Sequence, residues 1–353
     1  MVAQGIEGFL ELEDGSRYAG ELFGDVKDTD GEVVFNTGMV GYVESLTDPS
    51  YYGQILSFSY PLIGNYGVPL NRFESDGIKV RGAVMSNAVE KHSHWESEKG
   101  IREWFEESGV VGITGVDTRA LTKRLRNRGT MLGRIFQGDA GNFDVADPNA
   151  TDLVSEVTIK DKVVIEGRGP RIMLVDCGCK ESIARELRRR DCTVVRVPYD
   201  HELSREDADG VLISNGPGDP QMCSATVDNV RKLMERDVPI GGICLGNQII
   251  ALAAGGRTYK LPFGHRSQNQ PCEEVGTGHC VITSQNHGFA VDGDRLPAGW
   301  EVWYRNLNDG TVEGIKHKER PFISVQFHPE ANPGPTDSGD FFDSFLEVVR
   351  NGQ

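Results

Sequence analysis

The chain has 353 residues, 38% of them hydrophobic and 25% charged, a balance that supports two hydrophobic cores and leaves no run of the ~20 apolar residues a membrane helix requires. Its formal charge of −16 and pI near 5.0 argue against nucleic-acid binding by phosphate neutralisation, and Arg188-Arg189-Arg190 is too short for a basic stripe. Seven cysteines, odd in number and irregularly spaced, do not form the framework of a small secreted domain and read as free thiols.

The opening residues Met1-Val2-Ala3-Gln4-Gly5 lack the basic start and apolar stretch of an export signal, so the expected compartment is the cytoplasm. The first half then alternates short β-rich runs, such as 8–12 and 55–59, with glycine turns and with helical patterns at 95–108 and 118–128. Turn residues cluster at Gly138-Asp139-Ala140-Gly141-Asn142 and Asp147-Pro148-Asn149, and again at Glu166-Gly167-Arg168-Gly169-Pro170. This punctuation predicts a mixed α/β domain rich in short strands over 1–150, a linker over 151–169 and a second domain over 170–353.

In the second domain, strands at 171–176, 193–197, 210–214 and 239–243 alternate with helices at 181–190, 225–236 and 248–254. Continuous apolar strands separated by helices predict an α/β fold with a mostly parallel sheet covered by helices on both faces. Ligands of such sheets bind beyond the carboxyl ends of the strands.

The motifs sit at those ends. In Gly242-Ile243-Cys244-Leu245-Gly246 a buried strand turns into a helix at a cysteine flanked by glycines, the pattern of a nucleophile elbow. The unpaired N–H groups at the start of that helix favour negative charge on sulfur. His328-Pro329-Glu330 closes the last apolar strand; residues two apart in an extended segment share a side, so His328 can serve as proton carrier with Glu330 orienting it. Asn215-Gly216-Pro217-Gly218-Asp219-Pro220 follows a strand directly and exposes backbone N–H groups of the kind an oxyanion hole needs.

Together these three segments resemble the class I, triad-type glutamine amidotransferases. Gln285-Asn286-His287-Gly288-Phe289 and Phe263-Gly264-His265 narrow the resemblance to the carbamoyl-phosphate synthase small-subunit family. So do Gly41-Tyr42-Val43-Glu44-Ser45-Leu46-Thr47-Asp48-Pro49-Ser50-Tyr51 and Tyr60-Pro61-Leu62-Ile63-Gly64-Asn65-Tyr66-Gly67 in the first half. The resemblance implies glutamine hydrolysis through a cysteine thioester, with ammonia supplied to a large synthetase subunit for carbamoyl phosphate synthesis from bicarbonate and ATP, feeding arginine and pyrimidine biosynthesis. It implies a catalytic triad of Cys244, His328 and Glu330, oxyanion donors at Gly216 and Leu245, and glutamine contacts from Ser50, Gly216, Gly218, Leu245, Gln248, Asn286, Gly288 and Phe289. Ser50 belongs to the other domain, so the pocket is expected near the domain interface. No cofactor or metal is expected on this chain; ATP and magnesium belong to the large partner. A different triad-type amidotransferase and a non-catalytic regulatory homologue are the rival readings.

Asn247 departs from the histidine common after Cys-Leu-Gly in relatives, which bears on hydrogen bonding near the elbow. Lys180 matches a family lysine near the site but is expected as an exposed lysine at a helix start. Cys177-x-Cys179 has no second pair at zinc spacing, and His92 and His94 have no evident ligating partner.

The acidic excess has two readings, an ordinary solvated surface or adaptation to a salt-rich cytosol, the second supported by the predominance of arginine over lysine. An adapted surface is expected to melt higher in molar potassium chloride than in dilute buffer, because salt screens its self-repulsion. A melting temperature indifferent to salt returns the chain to the ordinary class.

Overall fold

The computed structural model describes residues 5–139, 141–203 and 206–351; the opening run 1–4 and Ala140 of the turn segment lie outside them. The chain divides into two compact units, Met1–Thr151 and Asp152–Gln353.

In the first unit the strands are β1 (Ile6–Leu12), β2 (Arg17–Gly24), β3 (Thr29–Asn36), β4 (Gln54–Phe58), β5 (Leu62–Ile63), β6 (Gly82–Val84), β7 (Asn87–Ala88), β8 (Val111–Thr114) and β9 (Met131–Phe136). All but the β5–β7 pair close into a barrel in the order β1-β2-β8-β6-β4-β3-β9. Closure removes the exposed edges that short strands would otherwise leave. Glycine makes room where side chains crowd the outer face of the strands: a Cβ on Gly112 would lie 2.2 Å from the Phe23 ring, which packs on Phe105 at 5.1 Å.

Helices α1 (Tyr42–Thr47), α2 (Ile101–Glu107) and α3 (Thr118–Arg128) pack outside the strands. Helix α3 is where its pattern places it, with the Asp117 side chain accepting from the Ala120 N–H at 2.9 Å. Helix α2 is shorter than the expected 95–108. Lys99 forms a backbone bridge with Val68, and Gly100 stays extended as the cap, its N–H donating to Glu103 at 3.4 Å. The two motif segments of this unit meet at Tyr66, whose ring stacks on Tyr42 at 4.1 Å and whose hydroxyl accepts the N–H groups of Gly41 and Tyr42 at 2.9 and 3.1 Å.

The second unit begins with α4 (Val154–Val157) and β10 (Val163–Ile165), inside the stretch expected as a linker. That expectation is corrected: Val163-Val164-Ile165 is a β-branched run that pairs antiparallel with β12 (Thr193–Pro198) as the edge of the main sheet. With β11 (Arg171–Asp176), β13 (Gly210–Ile213), β14 (Ile240–Ile243), β15 (Thr258–Glu274), β16 (Cys280–Val291), β17 (Trp300–Asn306), β18 (Val312–His317) and β19 (Phe322–Val325), it forms a 10-stranded sheet. Strands β12, β11, β13, β14 and β19 run parallel in that order. Beyond β19 the sheet continues antiparallel through β18, β16, β15 and β17.

Alternate residues of each parallel strand enter opposite cores. Met173 and Val175 pack with Val230, Leu233, Ile249 and Ile250 of α6 (Ser224–Met234) and α7 (Leu245–Ala253). Ile172 and Leu174 pack with Ile183, Leu187, Phe342 and Phe345 of α5 (Glu181–Arg189) and α8 (Asp340–Asn351). Helices therefore cover both faces, as the strand-helix alternation predicts. No helix of the described residues is long and apolar enough to cross a membrane.

Helix α7 lies so close to the sheet that a Cβ on Gly246 would stand 2.2 Å from the carbonyl oxygen of Ile213. Gly246→Ala is expected to cost about 1–3 kcal/mol or more in urea unfolding, because backbone must move. Gly77→Ala, where a Cβ meets nothing within 4 Å, is expected to stay within about 0.5 kcal/mol of the parent. Equal effects at the two positions would show that the approach of α7 to β13 is not tight.

Candidate active site

At the carboxyl end of the parallel strands, β14 passes into α7 at Cys244. The turn holds Cys244 at φ 55° and ψ −105°, a conformation that costs a non-glycine residue about 1–3 kcal/mol and needs enforcement by its surroundings. The enforcement is close packing: a Cβ on Gly242 would sit 2.7 Å from the Gly246 carbonyl, so the glycines on both sides of Cys244 are required by contact. The cysteine is 2% exposed, and its sulfur lies 3.6 Å from the carbonyl oxygen of Asn286 on β16.

Strand β19 leads to the histidine. The His328 N–H donates to the Ser284 carbonyl at 2.9 Å, which anchors the segment to β16, and His328 Nδ1 meets Glu330 Oε1 at 2.6 Å. The same carboxylate oxygen accepts from Lys180 Nζ at 2.8 Å, and that ammonium also donates to the Ala331 carbonyl at 2.9 Å. Lys180 is 3% exposed. The expectation of a solvated helix-start lysine is thus overturned; it caps α5 but turns its side chain inward, onto a carboxylate. Nothing in the local sequence marks this apart from its place just beyond the carboxyl end of β11.

Burial opposes the charged form of His328, yet the Glu330 carboxylate and the Cys244 sulfur outweigh it and hold the ring's pKa up at about 10. Burial likewise opposes the Glu330 carboxylate, and the cations of Lys180 and His328 overcome it to hold that group at about 2. The favoured state is an imidazolium whose Nδ1–H points at an ionised carboxylate. Its other nitrogen, Nε2, is buried and is left for the Cys244 sulfur.

The loop after β13 is tied to the loop after β11. Ser214 Oγ accepts the Cys177 N–H at 2.9 Å, and Asn215 Oδ1 accepts the Lys180 N–H at 3.0 Å. Gly216 is pressed between them: a Cβ there would lie 2.0 Å from the Cys177 carbonyl and 2.7 Å from Leu245 Cδ2. Gly216, expected with Leu245 as an oxyanion donor, thus lies against the Leu245 side chain, which belongs to the first residue of α7. Gly218 follows at φ 83° over Leu153.

Of the residues expected to hold glutamine, Gln248 donates to the Phe289 carbonyl at 2.8 Å and to Gln326 Oε1 at 3.1 Å. This draws α7 onto the segment that carries Asn286, Gly288 and Phe289. Ser50 lies in the first unit, buried in the short helix Pro49–Tyr51, with its N–H donating to Asp48 at 2.9 Å. Asn247 is fully buried; it donates to Gln326 Oε1 at 3.2 Å and accepts from Ser324 Oγ at 2.8 Å. An amide here both donates and accepts, and it joins α7 to β19 below the elbow.

Of the six other thiols Cys280 is exposed and the rest are buried. Burial pushes Cys177 and Cys179 well up, Cys192 to about 11 and Cys223 to about 12. All belong to the apolar cores.

The two coupled shifts set a pH profile. Glu330 contributes stability above its ordinary ~4.3, and that contribution is lost as pH falls toward about 2. His328 contributes below its ordinary ~6.5, and that contribution is lost as pH rises through about 10. Stability from this pair is therefore expected to be full between pH ~4.3 and ~6.5. Lys180→Met leaves a buried carboxylate short of one cation, so it is expected to cost about 3–5 kcal/mol and to move the acid limb to higher pH. Urea unfolding of both proteins across pH tests this; an unchanged acid limb in the variant would disconnect Lys180 from Glu330.

Comparison with known proteins gives the family. A family model for class-I glutamine amidotransferases matches residues 173–348, and one for the CPSase domain of the carbamoyl-phosphate synthase small chain matches 10–135. The chain is 46% identical to the carbamoyl phosphate synthase arginine-specific small chain of Chaetomium globosum, over 99% of this chain and 79% of that one. It is 47% identical to multifunctional protein CAD of Squalus acanthias, over 97% of this chain but 16% of the other. With the mitochondrial carbamoyl-phosphate synthase (ammonia) of Rattus norvegicus it shares 46% identity, over 98% of this chain and 24% of the relative. The chain belongs to the carbamoyl-phosphate synthase small-chain family, with a class-I glutamine amidotransferase domain as its C-terminal part.

Proposed function

We propose that this chain hydrolyses glutamine to glutamate and ammonia and supplies the ammonia to a large synthetase subunit, which combines it with bicarbonate and ATP to make carbamoyl phosphate. The observation that carries the reading is the buried sequence Lys180–Glu330–His328 beside a cysteine held in a strained elbow. One relative is named for ammonia, so family membership alone does not decide whether glutamine is used. A charged, oriented imidazole next to a sulfur nucleophile supports glutamine use over a non-catalytic role.

In this mechanism the Cys244 sulfur attacks the γ-carboxamide carbon of glutamine, and the oxygen that becomes negative is received by the N–H groups of Gly216 and Leu245. His328 gives its Nε2 proton to the departing nitrogen, the C–N bond breaks, and ammonia leaves a γ-glutamyl thioester. Water then attacks the thioester, with His328 taking its proton, and glutamate is released. Glu330 keeps the ring oriented throughout, and Lys180 keeps Glu330 ionised. Ser50, Gly218, Gln248, Asn286, Gly288 and Phe289 hold the substrate. ATP and magnesium act on the large subunit of a heteromeric complex in the cytoplasm, and the product enters arginine and pyrimidine biosynthesis.

Cys244→Ser separates the two activities of that complex. Serine is nearly isosteric but a far poorer nucleophile in a site arranged for sulfur, so glutamine-dependent synthesis is expected to fall at least about a hundredfold. Synthesis from added ammonium should persist, because the elbow glycines and the fold are untouched. Both rates are measured on one purified complex: retained glutamine use would remove Cys244 from the mechanism, and loss of the ammonium-dependent rate in an intact complex would show a role beyond ammonia supply.

A further inference from the structure

A second buried cluster of titratable side chains lies in the antiparallel half of the sheet. His265 stands on β15, His287 on β16 and Glu313 on β18; each is nine-tenths or more buried, and one ligand atom from each lies within 4.8 Å of the others. None of the three is given a role in the mechanism proposed above.

Each imidazole has one nitrogen held and the other turned inward. His265 Nε2 meets Asp309 Oδ2 at 2.8 Å, and His287 Nδ1 meets the Phe289 carbonyl at 2.8 Å. A carboxylate on one ring and a backbone carbonyl on the other are the outer partners that orient metal-bound histidines. The inward atoms are His265 Nδ1, 3.1 Å from Glu313 Oε1, and His287 Nε2, 3.9 Å from the same oxygen. The second carboxylate oxygen, Glu313 Oε2, is buried and has no hydrogen bond among the described residues.

The surroundings of His287 add an independent point. Its Nδ1 proton is committed to Phe289, so a singly protonated ring presents a lone pair at Nε2, and that lone pair faces Gln285 Oε1 at 3.1 Å. In this orientation the amide nitrogen meets Cys272 Sγ at 3.4 Å. Gln285 Nε2 gives a hydrogen bond to Thr283 Oγ1 at 3.0 Å, and that hydroxyl donates to the Gln270 carbonyl at 2.9 Å. Glu313 Oε1 also accepts from Asn306 Nδ2 at 3.2 Å and Thr311 Oγ1 at 3.3 Å, which leaves Oε2, the His287 Nε2 lone pair and Gln285 Oε1 as the acceptors a cation would satisfy.

We propose that His265 Nδ1, His287 Nε2 and Glu313 bind a divalent transition ion of the zinc type, with Gln285 Oε1 as the fourth donor. Two imidazoles and a carboxylate suit zinc in preference to calcium or magnesium, which take oxygen ligands. Binding displaces the proton that His265 Nδ1 shares with Glu313 and releases it to solvent; no other bond changes. The ion would clip β15, β16 and β18 together directly behind Asn286, Gly288 and Phe289, and so acts on the shape of the glutamine pocket without touching the reacting atoms.

The full 353-residue chain, stripped with a chelator and then dialysed against zinc, provides the test. One zinc per chain and a raised melting temperature are expected, with both lost in Glu313→Gln. Cobalt(II) in place of zinc on the unaltered chain should give ligand-field absorption without thiolate-to-metal charge transfer, since the site contains no sulfur. This second measurement stands even where the variant fails to fold. Absence of uptake, uptake unchanged in a folded Glu313→Gln protein, or a thiolate charge-transfer band from the bound cobalt would each overturn the proposal.

Discussion

The site depends on one buried carboxylate. An ionised Glu330 removed from water is costly unless paired, and its partners come from separate parts of the second unit: His328 at the end of β19 and Lys180 at the start of α5. Satisfying that charge fixes where the loop after β11 stands relative to the loop after β19. The loop after β13 is then tied to the first of these through Ser214 and Asn215, which places Gly216 against Leu245. The position of these two residues is thus a consequence of how one negative charge is neutralised some residues away.

Much of this was legible before any coordinates. Glycine on both sides of a cysteine at the end of an apolar strand has few explanations other than an elbow; His328 and Glu330 do meet, but across a turn closed by the Ala331 N–H on the His328 carbonyl at 3.1 Å rather than along an extended strand. Lys180 was not legible, because a lysine after a short cysteine-glycine turn looks the same whether its ammonium meets water or a carboxylate 150 residues away. The barrel of the first unit escaped for a related reason. Its closure rests on pairing of β1 with β9, and no local pattern records a partner so distant in sequence. Strand β10 was read as linker since three β-branched residues between turns are too brief for periodicity to speak.

Asn247 shows how a departure from a family pattern is absorbed. In place of a ring, the amide supplies one donor and one acceptor, and both find buried partners on the β19 side, Gln326 and Ser324. Gln326 Oε1 in turn also accepts from Gln248, so the substitution sits in the same network that ties α7 to the Phe289 carbonyl. A polar residue buried this deeply is tolerated because its hydrogen bonds are made.

The backbone at Cys244 carries a last consequence. Its positive φ is held against its own preference by contacts of Gly242 and Gly246 with neighbouring backbone and side chains, so the fold gives up some free energy to aim one sulfur atom. Selection for thermal endurance alone would remove that burden, for instance by placing glycine at 244, and would thereby discard the thiol. Robustness and the proposed catalysis pull in opposite directions at this residue, and the presence of cysteine there records which of the two prevailed.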